Sequence, residues 1–343
     1  MLAAAPLAAV FALFLAAALV ILICGLRMTE LADRIADRTG LGEAVVGGVL
    51  LGAATSLSGS IVSFSAALDG RASLAFSNSI GGIAAQTAFL ALADMTHRRT
   101  NLEHASAEPV NLFQAALLMV LLTVPLIAVS LPELTIWSVH PASVVLVALY
   151  VAGVRTTARV RHKPMWRPVR TDATRRDLPE DTSEAARNPG KPIAIFLLLM
   201  VFLSAAGWLT AQCGGVITDK LSISATAVGA LMTATVTSLP ELVTTIAAVR
   251  RGALQLAVGG IIGGNSFDVL FLTLADFGYR DGSLYHAIDI QDFFWVSVGL
   301  CLTGILLLGL ILRQRHGPGG IGFESAGVLC LYLGAVLAQS VWI

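Results

Sequence analysis

Residues 41–95 and 223–277 are two copies of one apolar segment. A shift of 182 positions (Thr237 minus Thr55) aligns them without a gap and sets Thr55-Ser56-Leu57 on Thr237-Ser238-Leu239. Val46-Gly47 then meets Val228-Gly229, Gly70 meets Gly252, and Leu74-Ala75 meets Leu256-Ala257. Ile80-Gly81-Gly82 meets Ile262-Gly263-Gly264, and Ala93-Asp94 meets Ala275-Asp276. Chance likeness between apolar stretches would keep Leu and Ala; it would not keep Gly, Thr, Ser and Asp in one frame. The segment is an internal duplication, the architecture from which many membrane carriers are built.

A chain of 343 residues that is 56% hydrophobic and 13% charged has more apolar surface than a soluble domain can bury, and its apolar runs reach the ~20 residues that cross a bilayer as helix. The fold class expected is an all-α membrane protein embedded in a lipid bilayer. The formal net charge is zero and the charges are confined to segments between apolar runs, so nothing points to a nucleic-acid partner. Ten spans follow, at about 6–26, 43–67, 72–93, 111–131, 136–154, 192–212, 224–249, 253–275, 290–312 and 321–341. They divide the chain into a first five-helix half (1–154), a linker (155–191) and a second five-helix half (192–343). The linker Arg155–Lys191 carries ten Lys/Arg and several Pro and reads as a mostly disordered connector. Leu2–Leu26 lacks a basic leader and its first positive charge, Arg27, follows the apolar run, so it reads as an uncleaved first helix.

An odd number of helices per half inverts the second half, and the basic residues agree. With the start outside, the inner segments hold Arg27, Arg34, Arg38, Arg98, Arg99, the linker charges, Arg250, Arg251, Arg313 and Arg315, while the outer ones hold Arg71, Lys220 and Arg280. The turn Leu68-Asp69 aligns on Arg250-Arg251, as it should if equivalent turns face opposite sides. The expectation is a multi-pass protein of the cell membrane, both termini outside and the linker in the cytoplasm.

The second copy reads Thr237-Ser238-Leu239-Pro240-Glu241-Leu242 and, after Gly252, Gly263-Gly264-Asn265-Ser266-Phe267-Asp268. Carboxylates inside apolar spans are costly, so Glu241 and Asp268 are candidate functional groups. Thr237 and Glu241 are four apart and share a helix face. Pro240 cannot donate to the carbonyl of Val236, which loosens the turn and frees a backbone oxygen. Hydroxyl, carboxylate, amide and freed carbonyl form an oxygen-only set suited to a hard cation such as Na⁺ or Ca²⁺. Asp94 and Asp276 lie where the apolar runs end and read as interfacial caps. Ser130-Leu131-Pro132-Glu133-Leu134 imitates the motif outside the repeat frame and reads as a loop. The four cysteines have no CxxC spacing and the six histidines no metal-ligand spacing.

The string from Thr237 to Phe271 resembles the second α-repeat of the sodium/calcium exchanger, or cation/Ca²⁺ antiporter, superfamily, whose pattern is TSLPE followed by a GSN-x-F-[ND] stretch. The resemblance implies ten helices as two inverted five-helix repeats, with ions bound at mid-membrane between the repeats and the first helix of each half sliding to switch access. It implies ion-ligand positions at Thr237, Ser238, Glu241 and Asp268 and, in the first copy, at Thr55, Ser56 and Gln86. The transported ions it implies are Na⁺ or H⁺ and Ca²⁺ or another cation, with no resident cofactor. The first copy departs from the pattern: Gly59 replaces the acidic ligand, Gly82 a Ser ligand and Gln86 the terminal Asn, and Gly264 replaces a Ser in the second copy. A lone central glutamate argues against ordinary Na⁺/Ca²⁺ exchange and favours proton coupling or a monovalent cation. The same erosion fits a member of the fold that has lost transport and serves as a scaffold or sensor; intact Glu241 and Asp268 argue against complete loss. An intramembrane aspartyl protease is disfavoured, because its YD and GxGD motifs are missing from the chain.

Overall fold

The computed structural model describes residues 2–39, 48–97, 100–106, 108–162, 165–169, 190–317 and 321–341. Most of the linker, Val46-Gly47, Arg98 and Arg99 lie outside that range. The first half consists of α1 (Leu7–Thr39), α2 (Gly48–Leu68), α3 (Ala72–Asp94), the single turn α4 (Leu102–Ala105), α5 (Pro109–Ser130) and α6 (Pro141–His162). The second consists of α7 (Gly190–Leu221), α8 (Ala225–Ala227), a π-helical turn at Val228–Thr233, α9 (Ala234–Thr237), α10 (Leu239–Arg251), α11 (Leu254–Asp268), α12 (Leu270–Gly278), α13 (Ile290–Leu312) and α14 (Phe323–Val341).

The duplication frame runs through both halves. Adding 182 to the first residues of α3, α4 and α6 gives 254, 284 and 323, the starts of α11, the one-turn helix Leu284–His286 and α14. The starts of α7 and α13 match those of α1 and α5 within one residue. Leu102-Glu103-His104-Ala105 thus aligns on Leu284-Tyr285-His286-Ala287, an extension of the repeat beyond 41–95 and 223–277. Asp94 and Asp276 cap these aligned turns: Asp94 Oδ1 accepts from Leu102 N at 2.8 Å, and Asp276 Oδ1 from Leu284 N at 3.1 Å. Glu133, in the loop that imitates the motif, accepts from Ser283 N at 2.9 Å, beside the second of these turns.

Among the described residues, seven helices are long and apolar enough to cross a membrane, and the bent pair Ala225–Thr237 and Leu239–Arg251 makes an eighth span. The remaining two of the ten expected segments are α2 and α3. Along α3 every residue except Leu92 is buried, so this helix is enclosed by protein and not by lipid. That explains its composition: Ser, Asn, Gly and Gln are tolerated where neighbouring helices supply partners, and small residues let those neighbours approach. A Cβ on Gly81 would overlap the backbone of Ala230 in the π-helical turn.

Three expected segments end later than the apolar runs, α7 among them, at Leu221 instead of residue 212. α1 continues past residue 26 to Thr39 and α6 past residue 154 to His162, because the sequence loses hydropathy there without gaining a Gly or Pro that would stop a helix. The first residues of the linker, expected to be irregular, are therefore helical. α6 also begins late, at Pro141, because Ile136 and Val139 pair across a tight turn in which Trp137 and Ser138 take positive φ of 54° and 62°.

The crossing of α3 with the π-helical turn makes a prediction about repeat-equivalent glycines. Gly81→Ala should destabilise the purified protein by about 1–3 kcal/mol through overpacking. Gly263→Ala, whose Cβ would sit 3.6 Å from Gln114 Nε2, should be close to neutral. Equal thermal unfolding midpoints for the two variants in detergent would show that the crossing is not tightly packed.

Candidate functional site

Gln86 and Asp268 occupy the same repeat position, since 86 plus 182 is 268, and they touch: Gln86 Nε2 donates to Asp268 Oδ2 at 2.7 Å. Two equivalent positions can meet only at the pseudo-two-fold axis. Asn265 Nδ2 reaches the carbonyl of its own equivalent, Ile83, at 3.4 Å, so α3 and α11 cross on this axis. The serines complete the symmetric pattern. Ser56 Oγ donates to Asp268 Oδ1 at 2.7 Å, while its mate Ser238 accepts from Gln86 Nε2 at 3.3 Å.

The threonines show where the copies diverge. Thr55 hydrogen-bonds the Glu241 carboxyl across the halves. Its mate Thr237 has Gly59 where the matching carboxyl would be, and it donates back to Ala234 O at 3.2 Å in its own helix. The space is filled: a Cβ on Gly59 would sit 2.7 Å from Cε2 of the Phe271 ring. Asn78, from α3, closes the wall by donating to Gly59 O and Ser63 Oγ, each at 3.0 Å, and accepting from Thr233 Oγ1 at 2.8 Å.

Helix geometry follows the same asymmetry. Ser58 stands in α2 where Pro240 stands in the second copy, and α2 runs unbroken. In the second copy the helix breaks at Ser238 (φ −95°, ψ 3°), α10 restarts with Pro240 in its first turn, and the two pieces bend by 47°. The break places Glu241 in the first turn of α10, where the positive end of the helix dipole favours a carboxylate. A Cβ on Gly25 of α1 would lie 2.5 Å from Pro240 Cγ, so the first helix of the chain crosses directly over the break.

Thr55, Ser56, Gln86, Thr237, Ser238, Glu241 and Asp268, all the residues singled out from the sequence, line one cavity together with Gly59, Asn78, Gly82 and Phe271. Glu241 is 8% exposed and Asp268 2%. Glu241 Oε2 and Gln86 Oε1 are buried and accept no hydrogen bond. No Lys, Arg or His is among the lining residues. Such a set can bind a small cation through hard oxygens and repels anions. Sequence reasoning missed Asn78 and Phe271. The polar triplet Ser77-Asn78-Ser79 inside an apolar span was a signal for the first; Phe271, one apolar residue among many, gave none.

Comparison with known proteins agrees with this geometry. The family model described as "Sodium/calcium exchanger protein" matches residues 9–157 and again 191–341. The inner membrane protein YrbG of Escherichia coli is 31% identical over 157 residues, 45% of this chain and 47% of that protein. The human sodium/potassium/calcium exchanger 5 is 24% identical over 147 residues, 41% of this chain and 29% of that protein. The alignments thus span less than half the length of these relatives. Among solved structures, the sodium-calcium exchanger NCX_Mj superposes with a TM-score of 0.60 at 17% identity, covering 97% of this chain and 99% of that one. The H⁺/Ca²⁺ exchanger CAX gives 0.68 at 12% identity, covering 97% and 84%. With two copies of the family domain spanning nearly all of the chain, and the inverted-repeat helical fold around a shared axial cavity, the chain belongs to the sodium/calcium exchanger family of membrane cation exchangers.

Proposed function

We propose that this protein is a secondary active antiporter that carries a metal cation against Na⁺ or H⁺ by alternating access, with the axial cavity as its ion site. The observation that carries the reading is the cavity's chemistry: two carboxyls, four hydroxyls and two amides from both halves, without a positive side chain. Glu241 and Asp268 supply charge; Thr55, Ser56, Thr237, Ser238 and Gln86 supply neutral oxygens. The printed names of the relatives, which include Na⁺, K⁺, Ca²⁺ and H⁺ exchangers, support the cation class. The ion itself is argued from Gly59 and Phe271. Ca²⁺ takes six to eight oxygens and commonly several carboxylates; here one carboxylate position is a glycine and a phenyl ring fills its space, which favours weak Ca²⁺ binding and a monovalent cation or proton as one exchanged ion. The Lys/Arg distribution supports both termini outside and the linker in the cytoplasm.

Flux measured with purified protein in liposomes tests the reading. Glu241→Gln and Asp268→Asn should each lower cation flux at least about tenfold, because each removes an ion-facing charge and keeps side-chain size. Asp219→Asn, at an exposed ion pair with Arg71, should leave it nearly unchanged. No flux in the native protein under any cation gradient would replace the antiporter with the scaffold or sensor reading. For the topology, a cysteine introduced at Ser183 in a cysteine-free background should react with an impermeant reagent only after the cells are opened; labelling of intact cells refutes the orientation.

The cavity also predicts how Ca²⁺ affinity can be raised. Gly59→Glu alone pushes into the Phe271 ring, so its folding should suffer. Gly59→Glu with Phe271→Ala opens the space and sets a second carboxylate in the cavity with Glu241, and Ca²⁺ binding by calorimetry should rise at least about tenfold over the native protein. A well-folded double variant without that gain, or a native protein that already binds Ca²⁺ tightly, would mean that position 59 is not the missing ligand.

A further inference from the structure

The duplication supplies an internal control at the two ends of the bundle. At the end away from the linker, Asp276 Oδ2 accepts from His140 N at 2.8 Å and from Ser143 Oγ at 2.7 Å, and Tyr285 Oη lies 2.9 Å from the same hydroxyl. With Leu284 N on Oδ1, the polar atoms of this buried cluster are partnered. At the linker end the aligned Asp94 repeats the backbone part: its Oδ2 accepts from Gly322 N at 3.3 Å, and 140 plus 182 is 322. The side chains around it differ. Glu103 stands for Tyr285 and Glu324 for Ala142, while Ser325 keeps the serine of Ser143.

Glu103 and Glu324 are 2% and 1% exposed, and the Glu103 Oε2, both Glu324 carboxyl oxygens and the Ser325 hydroxyl make no regular hydrogen bond. The two carboxyls nevertheless face each other closely, with Asp94 as a third acid nearby. The niche is built for this: a Cβ on Gly309 of α13 or on Gly322 would overlap the Glu324 side chain. Arg313, at the end of α13, is turned to carbonyls, donating to Val169 O at 2.8 Å and His104 O at 3.4 Å. On α4 itself, His104 Nδ1 is 2.7 Å from Arg313 O. From α5, Asn111 donates to Ser106 O at 3.0 Å, and α11 brings Leu254 and Val258 to the turn. The neighbouring positions Pro318-Gly319-Gly320 carry no ionisable side chain, and Arg98 and Arg99 lie outside the described residues.

We propose that Glu103 and Glu324 form a proton-binding site, one proton shared between two carboxyls, that ties α4 of the first half to α14 of the second at the linker end. Two adjacent buried carboxylates repel, and a proton between them turns one into a donor to the other. Burial first, and then the charge of Asp94 and the contact with Glu324, holds the Glu103 carboxyl well above the usual range. A proton bound more tightly in the folded state stabilises fully below the unfolded value, about 4.3 for Glu, and the stabilisation is lost as pH rises through the folded value.

The test uses the purified full-length protein in detergent and no transport assay, so it stands apart from the antiporter reading. Thermal unfolding midpoints and infrared spectra are recorded across a pH series for the native protein, Glu103→Gln and Glu324→Gln. The native midpoint should fall as pH rises, together with a protonated-carboxyl C=O band. In either variant the amide supplies a permanent hydrogen, so that band should be missing and the midpoint should lose most of its dependence on pH. If one variant does not fold, the other carries the test. Native-like bands and pH slopes in a folded variant would overturn the site. So would a native midpoint restored at high pH by Na⁺ or Ca²⁺ but not in the variants, since the ligand would then be a metal ion.

Discussion

The hydrogen bond between Gln86 and Asp268 constrains much of the rest. Inside a membrane a polar side chain must find its partner within the protein. At the axis of an inverted repeat that partner is the residue's own equivalent. Two identical aspartates at 2.7 Å could not both ionise, whereas an amide opposite a carboxylate satisfies one donor and one acceptor with a single charge. The difference between Gln86 and Asp268 is therefore what lets the axis close without a proton. Closing it fixes how α3 crosses α11, and the enclosure of α3 follows.

From that axis outward, the two halves share a frame but not a mechanical character. Pro240 and Glu241 give the second half a broken, bent helix with a carboxylate at its restart; Ser58 and Gly59 give the first half a continuous helix with none. Phe271 takes the volume that a first-half carboxyl would need. The acidic side chains of the cavity thus come from the second half, while the first contributes Thr55, Ser56 and Gln86 as neutral lining groups. α1 lies over the break through Gly25, so any sliding of the first helix would act on the turn that positions Glu241.

The cavity was legible in the sequence because hydroxyls, amides and acids kept in one frame stand out against an apolar background. The same logic located the caps Asp94 and Asp276. Helix ends were not legible: apolar runs report where hydropathy falls, and α1 and α6 continue past that point because no Gly or Pro stops them. The ring of Phe271 left no trace, because filling a space vacated 212 positions earlier (271 minus 59) is a tertiary event. The extension of the repeat to Leu102–Ala105 and Leu284–Ala287 was in plain view, but three identities around one Glu-to-Tyr change persuade only when both segments fold as the same capped turn.

Inversion gives such changes a direction. In a parallel repeat, a substitution between mates says that two neighbouring modules differ; in an inverted one, it says that the two faces of the membrane differ. Asp69 and its mate Arg251 are one case: Asp69 accepts from Gln212 and Arg71 pairs with Asp219 at 2.6 Å at the end away from the linker. Glu103 and Tyr285 are a second case, buried and hence more costly to vary. A tyrosine satisfies its hydroxyl against Ser143 whatever the pH below its own high titration range, which burial raises further. A pair of facing glutamates can satisfy each other only when a proton is present. One cap architecture, copied and turned over, is thereby indifferent to pH on one side and dependent on it on the other.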